Sequence, residues 1–360
     1  MANVLVAMSG GVDSSLAAAL LQEAGHQVTG VTMHLWDDDD EQGLRESLCC
    51  AAEAATSARR VCALLGIPFY VFNYQREFRR HVIEYFIRAY THGLTPNPCV
   101  ECNRMIKFRA LLDRARALGF DAVATGHYAR IVRDDHGRYQ LWRAVDTEKD
   151  QSYMLHMLGQ ADLARLLFPI GEYTKQQVRE MAAARCLPSA NREESQDICF
   201  VPDGDYRNLL RIEAPESLIP GPIVDLEGRE IGRHRGLPLY TVGQRRGLGL
   251  GGGEPRYVVA IDPARNALIV GPVEALNRER FIVTDARWVD DAPPAETFHC
   301  QVQVRAHAEP LPARVSAQPD GRWLVELERP QRAVSPGQAA VFYDGVRVLG
   351  GGWIARPEVG

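Results

Sequence analysis

The sequence predicts an α/β protein: a parallel sheet wrapped by helices over residues 1–204, a small central α+β or β domain over 205–274, and a β-barrel or sandwich over 275–360. Three observations carry this. Apolar strand-like runs alternate with helical patterns through residue 184, as in a parallel sheet covered on both faces. The run Val4 to Ala7 ends in Gly10-Gly11, and the helix-forming stretch Ser14 to Ala24 follows at once. After residue 204, glycine and proline become frequent and short β-like runs replace long helical patterns. At 360 residues the chain exceeds what one hydrophobic core usually serves, so two or three domains are expected.

The first element is strand, tight turn, helix. Such a turn aims backbone N–H groups and the positive end of a helix at one point, which suits a polyanion. Gly10 and Gly11 permit close backbone approach, and Ser9, Ser14 and Ser15 add hydroxyl donors. No lysine follows the glycines, so the loop is not G-x-x-x-x-G-K-[ST], nor is it the dinucleotide fingerprint G-x-G-x-x-G. Val28 to Leu35 and Ile67 to Phe72 read as further strands, with helices over Ala51 to Leu65 and Arg76 to Tyr90. A nucleotide should then lie beyond the strand ends, near the glycine loop and Met33. The acidic run Asp37 to Asp40 reads as a solvated loop, magnesium binding being the alternative.

In Thr95-Pro96-Asn97-Pro98-Cys99-Val100-Glu101-Cys102-Asn103, two prolines argue for a stiff loop ahead of a helix from Ile106 to Leu118. The Cys99/Cys102 pair fits half a zinc site, a redox pair or two buried thiols. No second close C-x-x-C accompanies it, and proximity to a helix start favours a lowered thiol pKa and catalysis. Ala122 to Thr125 is a short strand that delivers Gly126-His127-Tyr128 to its carboxyl end, a ligand-facing place. Lys149-Asp150-Gln151-Ser152-Tyr153 opens a helix-like segment, with Asp150 or Ser152 as its cap, and Thr174 to Ala184 is another helix. Cys199 follows a polar run with little apolar cover, whereas Cys62 and Cys186 read as buried thiols. Gly243 to Gly253 is a basic glycine loop suited to phosphate.

Composition narrows the class. The 46% hydrophobic and 24% charged content is that of a soluble globular protein, and no apolar stretch is long enough to span a bilayer. Without a signal-peptide pattern, a cytoplasmic location is expected, and eight sparse cysteines are then free thiols, ligands or catalysts. A net charge of −5 argues mildly against nucleic acid. Local arginine patches remain available, because only Lys107, Lys149 and Lys175 are lysine among 41 basic residues.

In order along nearly the whole chain, S-G-G-V-D-S, T-P-N-P-C-x-x-C-N, A-T-G-H-Y-A-R, K-D-Q-S-Y, S-Q-D-I-C-F, Y-T-V-G-Q-R-R-G-L-G and S-P-G-Q-A resemble the tRNA-specific 2-thiouridylases, the MnmA and mitochondrial TRMU family of PP-loop ATP pyrophosphatases. The resemblance implies a PP-loop fold of the adenine nucleotide α-hydrolase type, a small central domain and a C-terminal barrel. It implies ATP-dependent adenylation of O2 of the wobble uridine in tRNA, those for Lys, Glu and Gln, followed by sulfur transfer from a persulfide. By resemblance, Ala7, Met8, Ser9, Gly10, Gly11, Val12, Asp13, Ser14, Met33 and Gly126 bind ATP, and Mg²⁺ assists. Cys199 would carry the persulfide, and Cys102 would be the nucleophile that frees its sulfur by forming a disulfide with Cys199. Asn97, Pro98 and Cys99 would face the target base, while His127, Lys149, Asp150, Gln151 and Gln338 match tRNA-contacting positions. Some members carry Asp where Cys99 stands, so no general-acid role is transferred to it. Three thiolates at Cys99, Cys102 and Cys199 also suggest an iron–sulfur cluster with one iron left open. The sulfur would come from a cysteine desulfurase or a relay protein. The alternatives are a PP-loop enzyme adenylating a different carbonyl, and a non-enzymatic RNA-binding protein with a nucleotide fold.

Overall fold

A computed structural model describes residues 1–36, 45–190, 198–201, 204–251 and 254–357, with side chains of 45–52 left aside. The acidic run Asp37–Asp40, the first half of S-Q-D-I-C-F, the thiols of Cys49 and Cys50, and Gly252-Gly253 therefore lie outside the described residues.

Five parallel strands form the first sheet: β1 (Asn3–Ala7), β2 (Gln27–His34), β3 (Phe69–Asn73), β4 (Ala122–Ala124) and β7 (Leu166–Leu167), in the spatial order β3-β2-β1-β4-β7. β1 sits in the middle with both faces covered. Val4 and Val6 pack with helix α1 (Val12–Glu23), and Leu5 packs into the cluster on the opposite side. The chain runs outward from β1 to β2 and β3, then returns to place β4 on the other flank. The β1 and β4 ends thus form the topological switch at which ligands bind in such sheets.

Helix α2 (Arg45–Leu65) backs β2 and the glycine loop. Gln75–Phe78, Arg79–Ile83 and Glu84–Thr91 run on as helix α3, its middle segment π-helical. The next helix corrects the expectation from sequence. Pro98–Glu101, Cys102–Ala110 and Leu111–Ala117 run on as α4, so both cysteines lie in a helix and not in a loop before one. Pro98 occupies the first turn, where its missing N–H costs nothing, and Asn97 caps it by accepting from the N–H groups of Cys99 and Val100 at 3.2 and 3.3 Å.

Strands β5 (Ala129–Arg133) and β6 (Tyr139–Arg143) form a hairpin. After it come a 3₁₀ turn at Ser152–Leu155, helix α5 (Gln160–Leu163) and helix α6 (Lys175–Ala184), which Thr174 and Gln177 start with a reciprocal cap. Cys186, expected in a buried period, instead lies just past α6 with φ 53° and is exposed. Cys62 is buried as expected.

Helix α7 (Tyr206–Glu213) leads into a four-stranded sheet of β8 (Gly221–Val224), β9 (Glu230–His234), β10 (Tyr257–Asp262) and β11 (Ala267–Gly271), ordered β10-β11-β8-β9. The last six strands are β12 (Asn277–Trp288), β13 (Thr297–Gln303), β14 (Leu311–Ala317), β15 (Trp323–Arg332), β16 (Ala339–Asp344) and β17 (Arg347–Ile354). Their order β12-β15-β14-β13-β16-β17, closed by β12 on β17, makes a barrel with no open edge. The early hairpin joins it: β6 pairs with β17 through Trp142 and Leu141 opposite Arg347 and Val348.

Candidate active site

The loop after β1 is tied down on three sides. Met8 N–H donates to Val31 at 2.7 Å and accepts at its carbonyl from the Thr32 hydroxyl at 2.9 Å, which links it to β2. Ser57 of α2 donates to the Gly10 carbonyl at 2.9 Å, and Gly10 takes φ 75° where a Cβ would overlap the Ala54 carbonyl at 2.3 Å. Ser14 Oγ accepts from Ser9 N–H at 3.1 Å and lies 3.2 Å from Ser9 Oγ. On the far side, Gly126 abuts the loop so closely that a Cβ there would stand 2.6 Å from Ser14 N. Gly11 is the N-cap of α1, so the unpaired N–H groups of the first helical turn point at the cleft between β1 and β4.

Asp13, inside this anion-seeking loop, is neutralised. Lys175 Nζ from α6 donates to its two carboxylate oxygens, and the Tyr128 hydroxyl adds a third bond at 2.9 Å. Lys175 was missed in the sequence, since nothing local links residue 175 to residue 13. Arg143 does the same for Asp150 from β6, at 3.1 Å.

Three thiols lie within electrostatic reach of one another and of Lys107, which also acts on His127 at the end of β4. Cys99 and Cys102 stand one helical turn apart on one face of α4. Cys199 reaches them because Phe200 is plugged edge-on between Phe78 and Phe86, with ring centroids 5.8 and 5.3 Å away. The Cys199 thiol is close enough for the charges of Cys102 and Cys99 to act on it. All three thiols are free, so the expected Cys102–Cys199 disulfide is not a standing bond of the fold. Among the described residues, no three His, Cys, Asp or Glu side chains stand in metal-holding geometry, so the thiols are not a preformed cluster site.

A lowered thiol pKa was expected from the helix start, and the opposite holds. Desolvation by the surrounding protein raises all three thiols, Cys199 to about 12, even though Cys99 and Cys199 keep solvent-exposed surface, and for Cys102 and Cys199 the neighbouring thiols add to the rise. The one side chain that acts the other way is Lys107, which sequence reading had not singled out. His127, at the end of β4, packs against Phe108 and Phe168 with Nδ1 at Thr125 Oγ1. Burial first, and then Lys107, hold its imidazole well below the usual range, so it is neutral.

The residues matched to tRNA contacts have internal partners. Asn97 caps α4, and Asp150 accepts from the Ala144 N–H and the Ser152 hydroxyl. Gln151 accepts from Tyr128 N–H at 2.9 Å. Gln338, in the S-P-G-Q turn of the barrel, donates to the Thr95 carbonyl at 2.9 Å and clamps the loop ahead of Asn97. Pro98 is buried, Cys99 is exposed and Lys149 is half-buried. On the central domain, Arg245, Arg256 and the glycines from Gly247 to Gly251 line a separate cleft of about 430 Å³.

Three family models cover the chain. A tRNA methyl transferase HUP domain matches residues 2–203, a tRNA methyl transferase PRC-barrel domain matches 207–272, and an aminomethyltransferase β-barrel domain matches 278–354. Curated relatives named tRNA-specific 2-thiouridylase MnmA match end to end. The protein of Chloroflexus aggregans is 99% identical over 100% of both chains. That of Roseiflexus castenholzii is 66% identical over 99% of this chain and 100% of the relative. That of Magnetococcus marinus is 50% identical over 98% of each. With a nucleotide-type parallel sheet, three gathered thiols, and full-length identity at this level, the chain belongs to the tRNA-specific 2-thiouridylase MnmA family.

Proposed function

We propose that this protein is a tRNA-uridine 2-sulfurtransferase, which adenylates O2 of the wobble uridine U34 with ATP and then replaces that oxygen with sulfur to give 2-thiouridine. The observation that supports the chemistry is that Cys102 and Cys199, far apart in sequence, lie close enough for their charges to act on each other in a domain that also carries a phosphate-type loop.

A urea-type carbonyl oxygen leaves poorly, and adenylation turns it into a phosphate ester. Ser9, Ser14 and the first turn of α1 offer donors to the phosphates, and Met33 and Gly126 flank the nucleotide. Mg²⁺ would neutralise a departing pyrophosphate. The described residues offer it no ready ligand set, and Asp13 is already paired with Lys175.

The outer sulfur of a Cys199 persulfide attacks C2, and AMP leaves with the O2 oxygen. Cys102, its proton given up to solvent, then attacks Cys199 Sγ. The S–S bond to the base breaks, a transient Cys102–Cys199 disulfide forms, and the electron pair stays on the base sulfur as the thiocarbonyl. The transferred sulfur is reduced while two cysteines are oxidised, and an external thiol resets the pair. A cysteine desulfurase or relay protein reloads Cys199. The uridine leaves its stack to reach the thiols, where Asn97, Pro98, Cys99 and His127 shape the pocket and Lys149, Asp150, Gln151 and Gln338 support the tRNA surface. The tRNAs are those for Lys, Glu and Gln. Free thiols suit a reducing compartment, the cytoplasm. No helix among the described residues is long and apolar enough to cross a membrane.

Mass spectrometry of position 34 in tRNA incubated with the protein, ATP and a persulfide donor tests substrate, reaction and atom together. 2-Thiouridine that requires all three is expected. Pyrophosphate release that ignores tRNA would point to a small-molecule synthetase, and no release at all to an RNA-binding module. Iron in anaerobically purified protein would replace the persulfide with a cluster as sulfur carrier.

A further inference from the structure

Lysine is scarce in this chain, where arginine supplies nearly all basic charge, and all three lysines lie between residues 107 and 175. Lys175 holds Asp13. Lys107 is half-buried, between Ile106 and Phe108, which are both buried, and no carboxylate pairs with it among the described residues. A compact ammonium kept where arginine is otherwise the rule, with no ion pair to any of the described residues, points to a charge needed by something else.

The helix geometry says what that is. At about 100° per residue, an α-helix would place residue i+5 about 140° around from residue i. Cys102–Ala110 is π-helical instead, and its i→i+5 ladder brings Lys107 over Cys102. A nine-residue π segment is rare, π turns are frequent at functional sites, and here its effect is to turn a cation toward the nucleophile. Phe108, the next residue, packs on His127 at 5.5 Å between ring centroids, which places this stretch of the helix near the end of β4.

We propose that Lys107 is the charge partner of the sulfur relay: its ammonium faces the sulfurs of Cys99, Cys102 and Cys199 and holds the attacking sulfur as an anion while the Cys102–Cys199 bond forms. This rests on the assignment of Cys102 and Cys199 to sulfur transfer. Its electrostatic reach agrees, because Lys107 is the one side chain that favours the charged form of all three thiols against burial and mutual repulsion. Among the described residues, the three sulfurs and neutral His127 are titratable groups on which it acts.

The test uses the full chain without ATP or tRNA. Wild-type, Lys107→Met, Lys107→Gln and Lys107→Arg proteins are treated with anionic iodoacetate and with neutral iodoacetamide, and alkylation of Cys102 is followed by peptide mass spectrometry. Loss of the cation should slow iodoacetamide about tenfold, the effect of one unit of thiol pKa at neutral pH. It should also lower the iodoacetate-to-iodoacetamide ratio, which Lys107→Arg should restore; merely loosened packing would not shift that ratio. An unchanged ratio in a Met or Gln variant with wild-type melting overturns the proposal. If neither variant folds, wild type decides: the ratio should fall with added salt, and a salt-insensitive ratio overturns it. Should the ratio depend on Lys107 in a protein that makes no 2-thiouridine, the charge pairing stands and the assignment of the thiols fails.

Discussion

Lys175 Nζ lies 2.8 Å from one carboxylate oxygen of Asp13 and 2.9 Å from the other, so the acidic residue of the phosphate-type loop meets a triphosphate already neutralised. Lys175 is buried and Asp13 half-buried. Removing the lysine leaves a carboxylate facing incoming phosphates without its counter-charge. Lys175→Met should lose about 3 kcal/mol of stability, as expected when one partner of a buried pair is deleted. It should also raise the ATP concentration needed for tRNA-dependent pyrophosphate release by more than about tenfold. Denaturant titration and an ATP saturation curve check the two effects, and an unchanged curve would remove Asp13 neutralisation from nucleotide binding.

The two steps should separate at Cys199. Cys199→Ala should abolish thiolation yet still release pyrophosphate in the presence of tRNA. Cys102→Ala should accept a persulfide on Cys199 and stall with tRNA joined to the protein through two sulfurs. Intact-protein mass spectrometry after single-turnover mixing distinguishes them. Loss of both activities in folded Cys199→Ala protein would contradict its role.

Gly126 leaves no room for a side chain, since a Cβ would fall 2.6 Å from Ser14 N and 2.7 Å from the Asp13 carbonyl carbon. Both are backbone atoms and cannot swing aside. Gly126→Ala should therefore displace the loop at a cost of about 1–3 kcal/mol and weaken ATP binding more than tRNA binding. Separate titrations with each ligand read the difference.

Gln338 ties barrel to helix α4 through its bond to the Thr95 carbonyl. Gln338→Ala should cost about 1 kcal/mol in stability, the worth of one hydrogen bond. It should lower the thiolation rate while pyrophosphate release stays close to wild type, because the freed loop carries Asn97 and Cys99. A parallel fall in both rates would make Gln338 a general stability residue.

His156 is buried against Tyr153, whose carbonyl lies 2.9 Å from its Nδ1, and burial lowers its pKa to about 4. The unfolded chain, with His near 6.5, binds the extra proton first as pH falls. Stability is thus unaffected above pH 6.5 and declines from there toward pH 4, by roughly 3 kcal/mol in all. His127 adds in the same direction. His156→Gln should flatten the acid limb of a stability-against-pH curve, and an unchanged limb would exclude His156 as its source.

The sheet is legible in the residues alone, because β1 to β4 are written in local apolar periods and the Gly10-Gly11 turn marks where the first of them ends. The sequence also marked the thiols, since C-x-x-C and I-C-F stand out against their neighbours. Pro98 misled, because a proline that breaks a helix interior is equally at home in the first turn, and only the Asn97 cap tells the two apart. Tertiary structure alone decided the rest. The hairpin β5–β6 crosses to the barrel, Lys175 arrives at Asp13 from α6, Gln338 reaches back to Thr95, and the π-helix turns Lys107 toward the thiols. The first three are a strand pairing, an ion pair and a hydrogen bond whose partners lie far off in the chain. A local pattern carries no trace of such a partner until packing brings the two together.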